Sequence, residues 1–296
     1  MEKRSVGRQI WEIVNPILIT MGIAFVVEAI ILSLYFMQDM PELMEVATNE
    51  ELFVSKLEEM IASAYQYMVE ITAIASLVTI PVLMFMRKRD ARKDKEAGIV
   101  QNKKASWYKY FLIAGVSVPL AIVANNIITL SNLAEYSEAY QEATEALFMP
   151  SLPVQLVCLG IITPICEELV FRGLIYKRMR RDRSFVSAMI SSALVFGVYH
   201  MNLVQMIYAT ICGLLLAYLY EKYGSLKAPM LAHILMNVVV CVLSDVNAFT
   251  WMFSQPIRMA LITIVCAAIG SSVFLAVRQI DEKPDIPETV VEEVEN

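Results

Sequence analysis

PVQLVCLGIITPICEELVFRGLIYKRMR, residues 153–180, is long and apolar enough to cross a lipid bilayer as one helix, yet it carries two adjacent acids, Glu167 and Glu168, in its middle. It ends in a basic tip that begins at Lys177. Burying a carboxylate in hydrocarbon costs several kcal/mol unless it finds a partner, so ionisable groups at this depth point to function. The two histidines of the chain, His200 and His233, sit in the apolar stretches that follow.

The rest of the composition agrees with a membrane protein. With 57% hydrophobic residues, 18% charged residues and a mean hydropathy of +0.56, the chain is too apolar for a soluble domain. Periodicity and run length predict an all-α polytopic bundle of about eight membrane helices, near 13–37, 64–86, 107–130, 153–180, 184–202, 204–221, 229–243 and 257–278. The first run is too long for a signal peptide and has no small-residue cleavage site after it, so it is expected to be retained.

Lys and Arg fall on alternate connections: at the start, through 87–104, through 177–183, and at Lys222 and Lys227. These are expected to face the cytoplasm of a multi-pass cell-membrane protein, with both termini on that side. The intervening segments 38–63 and 131–152 are acidic. The net charge of −6 reflects these segments and the tail, and no basic patch interleaved with aromatics suggests nucleic acid. Five cysteines lie within apolar runs without CxxC spacing, which fits reduced core residues. No internal repeat of the transporter kind is visible. Residues 1–150 read as a helical frame, 151–245 as the part that holds the chemistry, 246–280 as a last membrane helix, and 281–296 as a disordered acidic tail.

Three constellations carry that chemistry. The first is Glu167-Glu168-Leu169-Val170-Phe171-Arg172-Gly173. On a helix Glu168 and Arg172 are i,i+4 neighbours and can neutralise each other, leaving Glu167 about 100° round the barrel and free for other work. Two adjacent carboxylates in a low dielectric cannot both ionise cheaply, the condition under which one serves as a general base. A purely structural ion pair explains Glu168 and Arg172 equally well. The second constellation is Phe196-Gly197-Val198-Tyr199-His200, and the third His233-Ile234-Leu235-Met236-Asn237. His233 and Asn237 share a helix face, as two donors for a developing oxyanion would. A single histidine in an apolar helix is more often an interhelical hydrogen-bonder. Packing alone does not readily explain both histidines, an acid pair, an arginine and an asparagine in one half of a chain.

Depth arithmetic favours convergence. About 15 residues separate Glu167 from a turn near Asp182-Arg183, and about 17 separate that turn from His200, so both lie roughly 23 to 26 Å from it. His233 is only about 6 Å above Lys227–Pro229 by the same rise, and joins the site only if the basic tip protrudes beyond the bilayer.

Glu-Glu-x-x-x-Arg with Gly173, then Phe-x-x-x-His, then His-x-x-x-Asn, in this order, resembles the CPBP family of CAAX prenyl proteases and bacteriocin-processing enzymes, also called the Abi or type II CAAX protease group. The likeness covers about 153–240 and includes Gly213 and the Tyr223-Gly224-Ser225-Leu226 turn. It implies a membrane-embedded endopeptidase acting on a membrane-associated peptide or protein. Glu167 and His200 would activate water, His233 and Asn237 would hold the oxyanion, and Glu168 and Arg172 would support them. The family is often termed metalloprotease. Glu167, His200 and His233 are the candidate ligands of a Zn²⁺ ion, but HExxH is absent and a glutamate-activated water hydrolyses without metal, which is the chemistry expected here. A non-proteolytic immunity or scaffold role is the alternative, and a proton-coupled transporter a third.

Overall fold

A computed structural model describes residues 5–99, 103–133 and 135–280. The expected tail 281–296 lies outside them. The helices, in order, are α1 (Val6–Glu45), α2 (Glu50–Tyr65), α3 (Met68–Glu96), α4 (Trp107–Leu130), α5 (Glu138–Phe148), α6 (Leu152–Met179), α7 (Phe185–Tyr199), α8 (Leu203–Tyr223), α9 (Lys227–Asp245), α10 (Ala248–Phe253) and α11 (Pro256–Arg278). Seven of them, α1, α3, α4, α6, α8, α9 and α11, are long and apolar enough to cross a membrane. No strand occurs among the described residues. The chain is an all-α, multi-pass membrane bundle.

Of the eight expected spans, seven reach membrane length among the described residues, and the eighth, α7, is a shorter apolar helix. It has 15 residues, below the roughly 20 needed to span as a straight helix. Met201 adopts a left-handed backbone (φ 57°), and the Asn202 side chain caps α8 by accepting from the backbone N–H groups of Val204 and Gln205 at 3.0 and 3.2 Å. His200 therefore sits at the end of α7 rather than inside it. The acidic segments are also more ordered than connections. They hold α2, capped by Asn49 through the N–H of Leu52, and α5, capped by Ser137 through the N–H of Tyr140.

Helix α6 runs through the centre, packed against α3, α9 and the α7 end. Phe171, Leu174, Ile175 and Tyr176 on it are almost wholly enclosed. It is not a uniform α-helix. Cys158–Ile162 and Phe171–Tyr176 are π-helical turns on either side of the acid pair. Pro164 explains the first: it has no N–H for the carbonyl of Gly160, so the ladder shifts and the Thr163 N–H donates to the Cys158 carbonyl instead.

The basic ends of the helices meet at one end of the bundle. Arg178 Nε donates to Asp90 at 2.6 Å and its Nη1 to the Glu12 carbonyl at 2.6 Å. Arg180 pairs with Glu221 at 2.9 Å and Arg181 with Asp94 at 2.5 Å. Lys222 donates to the Arg278 carbonyl at 3.2 Å. The start of α1, the end of α3, the tip of α6, the end of α8 and the end of α11 thus share one side, as the alternation of charge predicts.

Candidate active site

Glu168 is the anchor of the site. Its carboxylate is fully buried and its Oε1 accepts from Arg172 Nη1 at 2.8 Å, the i,i+4 pair expected from spacing. Arg172, also fully buried, donates through Nη2 to the Gly213 carbonyl at 3.1 Å, and its guanidinium lies 4.5 Å from the Phe196 ring centroid. The same Oε1 lies 2.9 Å from Nδ1 of His233. A carboxylate held by an arginine can only accept, so Nδ1 carries the proton in that contact and Nε2 is turned the other way. It faces Glu167 Oε2 at 3.7 Å. The third constellation thus reaches the first, which depth arithmetic alone left conditional.

Glu167 is the more open acid, with 18% of its side chain exposed against none for Glu168. One residue apart on α6, the pair divides into an enclosed carboxylate tied to Arg172 and His233 and a second, partly exposed one that faces Nε2 of His233. The second oxygen of Glu168 is buried and has no hydrogen-bond partner among the described residues, so one further acceptor lies within the site.

His200 comes alongside through aromatic packing. The ring of Phe171 on α6 meets those of Phe196 and Tyr199 at 4.8 and 5.2 Å, which sets the end of α7 level with the acid pair. Nδ1 of His200 lies 2.9 Å from the Phe196 carbonyl, an acceptor, so Nδ1 donates and Nε2 keeps its lone pair. Phe196 itself is the wedge of the site. Its ring is 4.9 Å from that of His200 and 5.8 Å from that of His233, edge to face in both cases. Sequence reading placed Phe196 in a motif without giving it this role.

Asn237 lies one turn beyond His233 on α9. Its Nδ2 donates to the Leu159 carbonyl at 2.9 Å, inside the first π-helical turn of α6. One of its two amide protons is therefore engaged and the other remains. Gly197 lets α7 and α8 approach: a Cβ there would collide with Oγ1 of Thr210 and lie 2.6 Å from the Met206 carbonyl oxygen. The carbonyls of Gly213 and Leu159 are further parts that sequence reading could not assign, since backbone acceptors leave no mark in side-chain chemistry.

Among the described residues, no three His, Cys, Asp or Glu side chains are set to hold a metal ion. Glu167, His200 and His233 are not gathered into such a group, and with Nδ1 of each histidine engaged, Nε2 is the ring nitrogen that a metal could meet. The five cysteines are free, and Cys158, Cys166 and Cys241 are buried, in keeping with core residues.

Residues 149–239 match the family described as Rce1-like, type II CAAX prenyl endopeptidase Rce1-like. A protein of Bacillus subtilis (strain 168), named "Putative membrane peptidase YdiL", is 28% identical over 123 residues, which cover 41% of this chain and 50% of that protein. The matched segment thus spans half the length of this relative. No solved structure matches. The family resemblance seen in the three motifs is borne out over this segment, which contains all six candidate site residues.

Proposed function

We propose that the protein is an intramembrane endopeptidase that hydrolyses a peptide bond of a membrane-associated peptide or protein by means of water activated at Glu167. The observation that carries this reading is the placement of His233 between the two acids, with Nδ1 on Glu168 and Nε2 towards Glu167.

The arrangement divides the work of hydrolysis. Glu167 takes a proton from water as its oxygen attacks the scissile carbonyl carbon, and His200 Nε2, left with a lone pair, helps to orient that water. The carbonyl π bond becomes an oxyanion. The free amide proton of Asn237 stabilises it, joined by Nε2 of His233 in the form of the ring that carries a proton at both nitrogens between the two acids. The C–N bond then breaks, and the proton returns from Glu167 to the leaving amine. Glu168 and Arg172 act through His233 as positioning residues. No step requires Zn²⁺.

A survey of new peptide termini tests this reading. Membranes of cells carrying the wild-type protein are compared with those carrying Glu167→Ala. Termini that depend on Glu167 are expected. If the two sets are the same while a protective effect against a peptide toxin persists in the variant, the immunity role replaces the peptidase.

A further inference from the structure

A cleft of about 510 Å³ opens between the first turns of α1 and the last turns of α3, at the basic end of the bundle and away from the acid pair. Its mouth is cationic. Arg8, Arg89 and Lys93 line it together with Trp11, and Arg178 and Arg181 form its inner wall. Five cations stand against three carboxylates, and the inner two are held by Asp90 and Asp94. Arg89 and Lys93 have no ion-pair partner among the described residues and are exposed. Nε of Arg181 is buried with no acceptor among the described residues. Positive charge in excess, with a donor left over, calls for an anion rich in acceptor oxygens.

The deeper wall changes character. Ile19 lies 11 positions beyond Arg8 on α1, roughly 16 Å further along the helix, and Met86 lies seven before Lys93 on α3, roughly 10 Å. Both point the same way, from the helix ends into the membrane-spanning part. Trp11, 60% exposed, stands at the rim where an interfacial aromatic belongs. A cationic mouth above an apolar wall, between two membrane helices, has the polarity of a lipid rather than of a soluble ion.

We propose that this cleft binds the phosphate group of an anionic phospholipid, with Arg89 and Lys93 on the phosphate and the acyl chains running past Met86 and Ile19. Occupancy would brace α1 against α3 where Arg178 ties both to the tip of α6.

The test uses the purified full chain in detergent and follows thermal unfolding with dioctanoyl phosphatidylglycerol, dioctanoyl phosphatidylcholine or inorganic phosphate. Phosphatidylglycerol should stabilise the protein and the other two should not. Arg89→Gln with Lys93→Gln should weaken the phosphatidylglycerol effect about tenfold in apparent affinity or more. Arg92→Gln with Lys95→Gln removes the same charge from the same helix outside the cleft, and should leave binding within about twofold of the wild type. Equal stabilisation by phosphatidylcholine, or equal loss in both double variants, would overturn the site. Equal stabilisation by inorganic phosphate would overturn the lipid assignment. None of these variants touches the acid pair, so the result stands apart from the peptidase reading.

Discussion

Nδ1 of His233 lies 2.9 Å from Oε1 of Glu168, joining residues 65 positions apart in the sequence. That one oxygen also receives Arg172 Nη1 at 2.8 Å. A fully buried carboxylate thus holds a cation from its own helix and an imidazole from another, and the orientation of His233 depends on both. In the proposed mechanism, Glu168 is the part that aims His233 and not a second base.

Removing the cation should therefore be costly. Arg172→Met leaves Glu168 buried and short of a counter-charge, with an expected loss of about 3–5 kcal/mol. Thermal unfolding in detergent should show an early transition or poor yield. The double variant Glu168→Gln with Arg172→Met has no unpaired charge, and its amide oxygen can still accept from His233 Nδ1, so much of the stability should return. A double variant no more stable than Arg172→Met would mean that the two residues are not energetically paired.

Asn237 separates oxyanion support from packing. Asn237→Ala should lower turnover roughly 10²- to 10³-fold with little change in KM. It also frees the Leu159 carbonyl, so a modest fall in stability is expected alongside. If weaker substrate binding accounts for the whole loss, Asn237 serves to hold substrate and not the oxyanion.

Gly197 should resist even a single methyl group. The collision with Thr210 Oγ1 and the Met206 carbonyl would force α7 from α8, at a cost of about 1–3 kcal/mol or more, and carry His200 with it. Thr210→Ala added to Gly197→Ala relieves only the side-chain clash, so stability should recover in part, because the backbone contact persists. Full recovery of stability would show that the close backbone approach of the two helices does not matter.

Much of this site was legible because its chemistry stands out against an apolar background. Glu167, Glu168, Arg172, His200, His233 and Asn237 are polar groups in membrane-length runs, and the Glu168–Arg172 pair follows from i,i+4 spacing alone. The bridge from Glu168 to His233 was not legible, since no local periodicity reports a contact between α6 and α9. The acids that hold the basic tip were missed for another reason. Asp90, Asp94 and Glu221 lie in mixed-charge helix ends that read as solvated surface, although the i,i+4 spacing of Asp90 and Asp94 matches a single face turned to Arg178 and Arg181. The early end of α7 depends on the left-handed Met201 and the Asn202 cap, and a lone Asn in an apolar run is a weak signal for a helix break. The acidic composition of α2 and α5 suggests connections, whereas Asn49 and Ser137 are the caps that mark their starts.

The most direct measurement of the central claim is the turnover of Glu167→Gln on a substrate identified by its Glu167-dependent terminus. The amide keeps the shape of the side chain and cannot accept the proton from water. The account predicts a fall of several orders of magnitude in turnover, with insertion and unfolding temperature unchanged. Retention of more than about a tenth of the wild-type turnover would contradict it, and would show that Glu167 is not the base.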